Sequence, residues 1–260
     1  MTGAIVADLL ALTGPWRDAL IAGAIVFLRI GAAMALLPAF GEMVVPMRVR
    51  LALALALTLV VTPIVQPDLQ VLVTASDGLW RALATEVAAG LLFGIGLRLV
   101  LHALQVAGTI AAQSTSLAQF FGGVGTDPQP AMAQILVMAG FALAMAAGLH
   151  VHLIEALVGS YRMFPPGQLP SGSDVAAWGV DRVSQMFALA FSLSAPFVIA
   201  ALIYNLGLGI INRAMPQLMV AFVGAPLLTL GGLVLLFLAS PLLLSVWLGA
   251  LQSRLGEFGS

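Results

Sequence analysis

Apolar residues run along this chain in long blocks, and polar residues gather in the short gaps between them. A helix that crosses the hydrocarbon core of a bilayer needs about 20 consecutive, mostly apolar residues. Six stretches approach or exceed that length: residues 19–37, 51–65, 82–112, 131–158, 183–211 and 218–251. Pro38 follows the first. Pro46 and Pro67 bound the second, which is short for a span, and Pro226 and Pro241 interrupt the last. The gaps are rich in turn formers. Gly122-Gly123-Val124-Gly125-Thr126-Asp127-Pro128 cannot continue a helix, and the run from Pro165-Pro166-Gly167 to Asp174 reads as one long exposed loop. The pattern predicts an all-α, membrane-associated protein of about six long apolar helices, organised as a single integral-membrane domain over residues 1–260.

Composition strengthens this expectation. Of the 260 residues, 61% are hydrophobic and only 8% charged, against about 25% charged in soluble domains. So few charges cannot cover a soluble surface, so membrane lipid or partner subunits must cover it. The net charge of −1 supplies no basic field for nucleic acid. Cysteine is absent, which excludes disulfides, thiolate metal sites and a Cys nucleophile. Every basic residue is Arg, so Schiff-base and P-loop lysine chemistry is excluded as well. No cleavable signal peptide is expected, because the first positive charge, Arg17, precedes an apolar stretch long enough to be retained.

Two stretches fit a bundle of straight spans poorly. At 1.5 Å per residue, residues 82–112 make roughly 46 Å of helix, longer than a bilayer core of about 30 Å. The stretch from Ala214 to Ser253 carries no charge and is long enough for two spans or one broken helix. Orientation is weakly coded. Six spans put Arg17, Arg81, Arg162, Arg182 and Arg254 on one side and Arg48, Arg50 and Arg213 on the other, a small bias by the positive-inside rule.

The third stretch carries the most informative polar pattern. Glu86, Gly90, Gly94, Arg98, His102, Gln105, Thr109, Gln113 and Ser116 follow one another at spacings of three or four, which places neighbours on one helical face. A charge at mid-bilayer costs about 2.5–3.5 kcal/mol on insertion scales, so Arg98 is expected to face protein or water. Gly90 and Gly94 form a small-xxx-small pair that lets helices approach closely. Two readings are open: the stripe packs on other helices of the same chain, or part of it faces a subunit interface or aqueous conduit.

The remaining polar residues point to no catalysis. His150 and His152 are two apart and face different sides of a helix, whereas paired zinc ligands on a helix prefer i and i+4. His152 and Glu155 can meet at i and i+3, but two groups do not make a metal site. Ser114, Thr115 and Ser116 lack the surroundings of a nucleophile elbow and read as a helix losing its apolar character. Gly207, Gly209, Asn212, Arg213, Pro216 and Gln217 form a compact polar group between two apolar stretches. It reads either as a plain interhelical turn or as an interface.

Three motifs resemble the FliR family of flagellar type III export proteins, whose virulence counterparts are called SctT. One is Phe27-Leu28-Arg29 with Pro38-Ala39-Phe40-Gly41 and Val45-Pro46-Met47-Arg48-Val49-Arg50. Another is Ala107-Gly108-Thr109-Ile110 through Gln113 to Asp127-Pro128. The most specific is Asn205-Leu206-Gly207-Leu208-Gly209-Ile210-Ile211-Asn212-Arg213-Ala214-Met215-Pro216-Gln217, which matches the family's Asn-Arg-x-x-Pro-Gln signature. The likeness covers residues 15–250. It departs after Gln113, where many flagellar members have Met-Gly and this chain has Ser114-Thr115.

The resemblance implies a FliP-like part over residues 1–180 and a FliQ-like part over 181–260, joining FliP and FliQ in an export gate with which FlhB associates. The gate conducts unfolded flagellar substrates across the inner membrane, without a cofactor and with ATP hydrolysis on another subunit. It also implies a loop that plugs the closed pore, here Gln113, Ser114, Thr115, Ser116, Phe120, Phe121, Gly122, Gly123, Asp127 and Pro128. Arg98, His102, Gln105, Gly207, Gly209, Asn212, Arg213, Pro216 and Gln217 become expected interface residues. Two competitors stand beside this reading: a small-molecule or ion transporter using Glu86, Arg98 and His102, and a SctT-type virulence subunit.

Overall fold

The computed structural model describes residues 2–37, 45–74, 79–115, 131–168, 170–215 and 220–259. These form seven helices: α1 (Thr2–Leu36), α2 (Met47–Thr74), α3 (Leu79–Thr115), α4 (Ala131–Ala146), α5 (Leu149–Met163), α6 (Gly172–Ala214) and α7 (Val220–Gly259). In lipid every backbone amide must bond within its own segment or to a paired strand, which is why so apolar a chain folds into helices. Five helices are long and apolar enough to cross a membrane, and α4 with α5 adds a sixth if that bent pair is one span.

Several helices outrun the expected segments. α1 begins at Thr2, so Arg17 and Asp18 lie inside it instead of ahead of it. α2 continues through Pro63 and Pro67 to Thr74. α7 continues through Pro241 instead of breaking there. A proline inside a helix lacks the N–H that its i−4 carbonyl needs. For Pro241 that carbonyl belongs to Phe237, and the Ser240 hydroxyl donates to it at 3.3 Å. Neighbouring hydroxyls of this kind let membrane helices tolerate proline.

One expected helix is two. Residues 131–158 break after Ala146 into α4 and α5. Gly148 sits at the break with φ 83°, and its N–H bonds to the Met145 carbonyl at 3.1 Å. This is the left-handed helix stop that glycine adopts without a Cβ penalty. The loop expected over 165–174 is also shorter, because α6 starts at Gly172. Ser171 caps it: the Asp174 N–H donates to the Ser171 hydroxyl at 3.2 Å, and Asp174 puts a negative charge at the positive end of the helix.

The chain divides into two compact units. The first comprises Met1–Arg98, Leu149–Trp178 and Gln252–Ser260, and the second Leu99–Gly148 and Gly179–Leu251. In the first, α1 packs on α2 and α2 on α5, around Ile25, Ile30, Met34, Val61, Leu69 and Phe93. In the second, α3 and α4 cross so closely that a Cβ on Gly108 would collide with the Ala133 backbone. Trp247 of α7 fills the space beside Gly140, and its indole N–H donates to the Val100 carbonyl at 2.9 Å.

Gly148 has open space where a Cβ would be, so a side chain there meets only conformational strain. Gly148→Val should lower stability by about 1–2 kcal/mol, the left-handed penalty for a side chain with a Cβ. Gly148→Asn should lower it less. Thermal unfolding in detergent checks both, and equal losses would remove the backbone explanation.

Candidate functional site

Arg29 lies in the middle of an apolar helix and is 1% exposed. Its guanidinium grips Glu86 of α3 with two bonds, Nε to Oε2 at 2.7 Å and Nη2 to Oε1 at 2.9 Å. Glu86 is fully buried. The rest of the fork turns to α5. Nη1 donates to the Ser160 hydroxyl at 3.3 Å, and Nη2 also donates to the Phe164 carbonyl at 2.8 Å. Ser160 is free to accept because its own proton goes to the Leu157 carbonyl at 2.6 Å. The guanidinium carbon stands 3.7 Å from the centre of the Tyr161 ring.

Each contact matches what a buried arginine needs. A carboxylate meets the planar fork in a two-bond geometry that lysine cannot reproduce. Phe164 immediately follows the last residue of α5, so its carbonyl sits at the end of the helix where a positive charge is favoured. The Tyr161 ring adds a cation–π contact shielded from water. Three helices of the first unit therefore meet on one side chain.

This network settles half of the polar stripe. Glu86 belongs to Arg29. A Cβ on Gly90 would collide with the Arg29 carbonyl, and one on Gly94 would come within 2.9 Å of the Ala33 carbonyl. The stripe from Glu86 to Gly94 is thus the seam on which α1 lies. Beyond Arg98 the same face changes character. His102, Gln105 and Thr109 are half-buried and Gln113 is exposed. His102 Nδ1 and Gln105 Oε1 are 2.9 Å apart, and the Thr109 hydroxyl donates to the Gln105 carbonyl at 2.9 Å. The first reading, packing on another helix of the same chain, holds for the half from Glu86 to Gly94.

Comparison with known sequences identifies the lineage. A model of the bacterial export proteins, family 1, matches residues 20–253. The chain belongs to this family. Flagellar biosynthetic protein FliR of Caulobacter vibrioides is 36% identical over 237 residues, which is 90% of this chain and 94% of that protein. The FliR proteins of Escherichia coli K12 and Bacillus subtilis 168 are 29% and 28% identical, over 83% and 78% of this chain and 83% and 80% of their own lengths.

Within this export-family chain the other expected site residues fall in different places. Gln113, Ser114 and Thr115 form the last turn of α3, so the expected loop begins no earlier than Ser116. Thr115 is buried, its hydroxyl bonded to the Ala111 carbonyl at 2.9 Å. Gly207, Gly209, Asn212 and Arg213 lie on the final turns of α6, with Asn212 and Arg213 exposed. Ser116, Phe120, Phe121, Gly122, Gly123, Asp127, Pro128, Pro216 and Gln217 lie outside the described residues. His152 Nδ1 and Glu155 Oε2 meet at 3.2 Å on an exposed face, and no group of three potential metal-ligating side chains occurs among the described residues. The Arg29 network is the feature that sequence reasoning missed. Its signal was a lone arginine and a lone glutamate, each stranded inside an apolar stretch.

Removing one partner of a buried pair leaves an uncompensated charge. Arg29→Ala should therefore cost about 3–5 kcal/mol, read as lost thermal stability and yield in detergent. The double variant Arg29→Met with Glu86→Leu should recover most of that loss. If the double variant is as unstable as the single, the charge explanation fails. The Tyr161 hydroxyl is buried without a hydrogen-bond partner. Tyr161→Phe should consequently be neutral or slightly stabilising in the same assay, while Tyr161→Leu, which removes the ring under Arg29, should cost up to about 2 kcal/mol.

Proposed function

We propose that this chain is a structural and gating subunit of the flagellar protein-export channel, joining FliP and FliQ in the bacterial inner membrane with FlhB alongside. The observation that carries the reading is the divided face of α3. Its first half is used up in packing on α1, whereas its second half keeps His102, Gln105 and Gln113 partly open to the outside of the chain. Polar groups on the face of a membrane-spanning helix call for protein or water opposite them. An export conduit supplies both, a wall of sister subunits and an aqueous path for unfolded substrates.

The long apolar helices support the same reading. α6 and α7 expose large side chains along their length, among them Ile203, Ile210, Phe237 and Leu242, a surface that lipid or sister subunits must cover. In this proposal residues 1–180 act as the FliP-like part and 181–260 as the FliQ-like part, the second formed largely by α6 and α7. The end of α6 is the interface side, where a Cβ on Gly207 or Gly209 would meet nothing among the described residues. The segment that begins after Thr115 serves as the plug, and the role involves no catalysis.

A transporter built on Glu86, Arg98 and His102 fits less well, because both carboxylate oxygens of Glu86 are held by Arg29. A virulence-system role is disfavoured because all of the curated relatives cited above are named as flagellar.

Deleting the gene should abolish motility, and the tagged chain should bring down FliP and FliQ in mild detergent. A stable, functional complex lacking both would sink the proposal. Arg213→Ala should reduce recovery of that complex while leaving membrane insertion unchanged. The chain has no native cysteine, so a single Cys at Gly122 should cross-link to a stalled export substrate or to FliP. Reaction with lipid-phase probes alone would remove the pore placement.

A further inference from the structure

α2 is buried along a single row of side chains. Ala54, Thr58, Val61, Val65 and Leu69 are enclosed, three or four apart, the spacing of one helical face. Only 22% of the span Met47–Pro67 is buried within the chain. The rest of the helix is an open arc. Met47, Leu51, Leu55 and Leu59 form one exposed row on it. The row beside it runs Arg48, Ala52, Ala56 and Val60, all exposed. Side chains four apart make ridges on a helix, so the two alanines leave a furrow between the leucine row and the row of Val49 and Leu53. From Arg48 to Val60 the furrow is roughly 18 Å long at 1.5 Å per residue. One leaflet, half of a bilayer core of about 30 Å, has nearly that depth.

Charge marks one end of this furrow. Arg48 stands at its mouth, and Arg50 follows, half-buried. The first turn of α2 holds no acidic residue, and the acid on this helix, Asp68, comes about five turns later. Below the arginines the arc is purely apolar. Residues 51–57 alternate leucine and alanine, and the Thr58 and Thr62 hydroxyls donate to carbonyls of their own helix, those of Ala54 and Thr58, at 2.7 Å. Membrane helices hold one another through close backbone approach and hydrogen bonds across the seam. This chain makes such approaches at Gly90, Gly94 and Gly108. α2 has no glycine, and leucine rows on both sides of the alanines keep a second backbone away. A thin, flexible acyl chain fits between those rows.

We propose that this furrow binds an anionic phospholipid, its phosphate at Arg48 and one acyl chain along Ala52 and Ala56. A guanidinium meets phosphate oxygens through two parallel N–H donors, and Arg50 adds to the positive field beside it. Apolar length, leaflet depth and the charge at one end match the two parts of a single lipid molecule. The inference needs only that α2 crosses the bilayer and is independent of the export reading.

A fluorophore on Leu55→Cys, in the otherwise cysteine-free protein, reports what lies against the furrow. The full chain, together with the proteins that co-purify with it, is reconstituted in phosphatidylcholine vesicles. These contain the same small fraction of brominated lipid, either phosphatidylglycerol or phosphatidylcholine. Brominated phosphatidylglycerol should quench at least about twofold more strongly, as expected for a lipid held by basic side chains. Arg48→Gln, a change at an exposed position, should remove most of that preference, and Arg48→Lys should retain more of it than Arg48→Gln. A fluorophore on Met138→Cys, exposed on α4, should show no preference. Equal quenching by the two lipids at Leu55→Cys overturns the anionic site. Quenching by neither means that a protein partner covers this face, and that also overturns it. A preference that survives Arg48→Gln undiminished, or that is equally large at Met138→Cys, removes Arg48 as the headgroup contact and overturns the proposal.

Discussion

An arginine inside an apolar helix has to find its counter-charge within protein, because hydrocarbon offers none. The first compact unit is organised by that requirement. Arg29 reaches Glu86 on α3, Ser160 and Tyr161 on α5, and the Phe164 carbonyl just beyond it. A buried ion pair is seldom a large net stabiliser, since desolvation offsets most of the attraction. Its force lies in what it forbids. Any arrangement that separates α1 from α3 leaves two uncompensated charges in an apolar interior, so the pairing of these helices is specified far more sharply than leucine-on-leucine contact would specify it.

Glycine does the complementary work. Lipid tails are as apolar as leucine, so helices in a membrane gain little from burying apolar surface against each other and depend on close approach. Gly90 and Gly94 bring α1 down onto α3 beside the ion pair, Gly108 lets α4 cross α3, and Gly159 admits the end of α7. At each of these glycines a Cβ would collide with the neighbouring helix. The same residue type acts differently at Gly148, where no neighbour restricts it and the left-handed backbone ends α4.

Much of this was legible in the chain. The all-helical class and the presence of long apolar elements follow from block hydrophobicity, which depends only on local composition. The export family follows from motifs that are contiguous in sequence. Other features were misread for identifiable reasons. Residues 131–158 carry no proline, and both Gly140 and Gly148 sit among apolar neighbours, so nothing local distinguished Gly148 as a stop from Gly140 as a packing residue. Pro226 and Pro241 suggested a broken helix, but one missing N–H at Pro241 is a small defect once the Ser240 hydroxyl reaches the Phe237 carbonyl. The polar stripe was recognised as a single face, yet whether it packs or stays open depends on how far α1 extends along it.

What the sequence alone determined is therefore the solvent this protein lives in, its helical secondary structure and its lineage. All three are encoded in composition and in short contiguous runs. What only the tertiary structure decided is which charges meet and which polar face remains open. Arg29 and Glu86 stand 57 positions apart, and Arg29 and Ser160 stand 131 apart. Helical periodicity orders residues along one face but carries no information about which other helix that face will touch. The pairing emerges only when desolvation of every buried charge is satisfied at once across three helices.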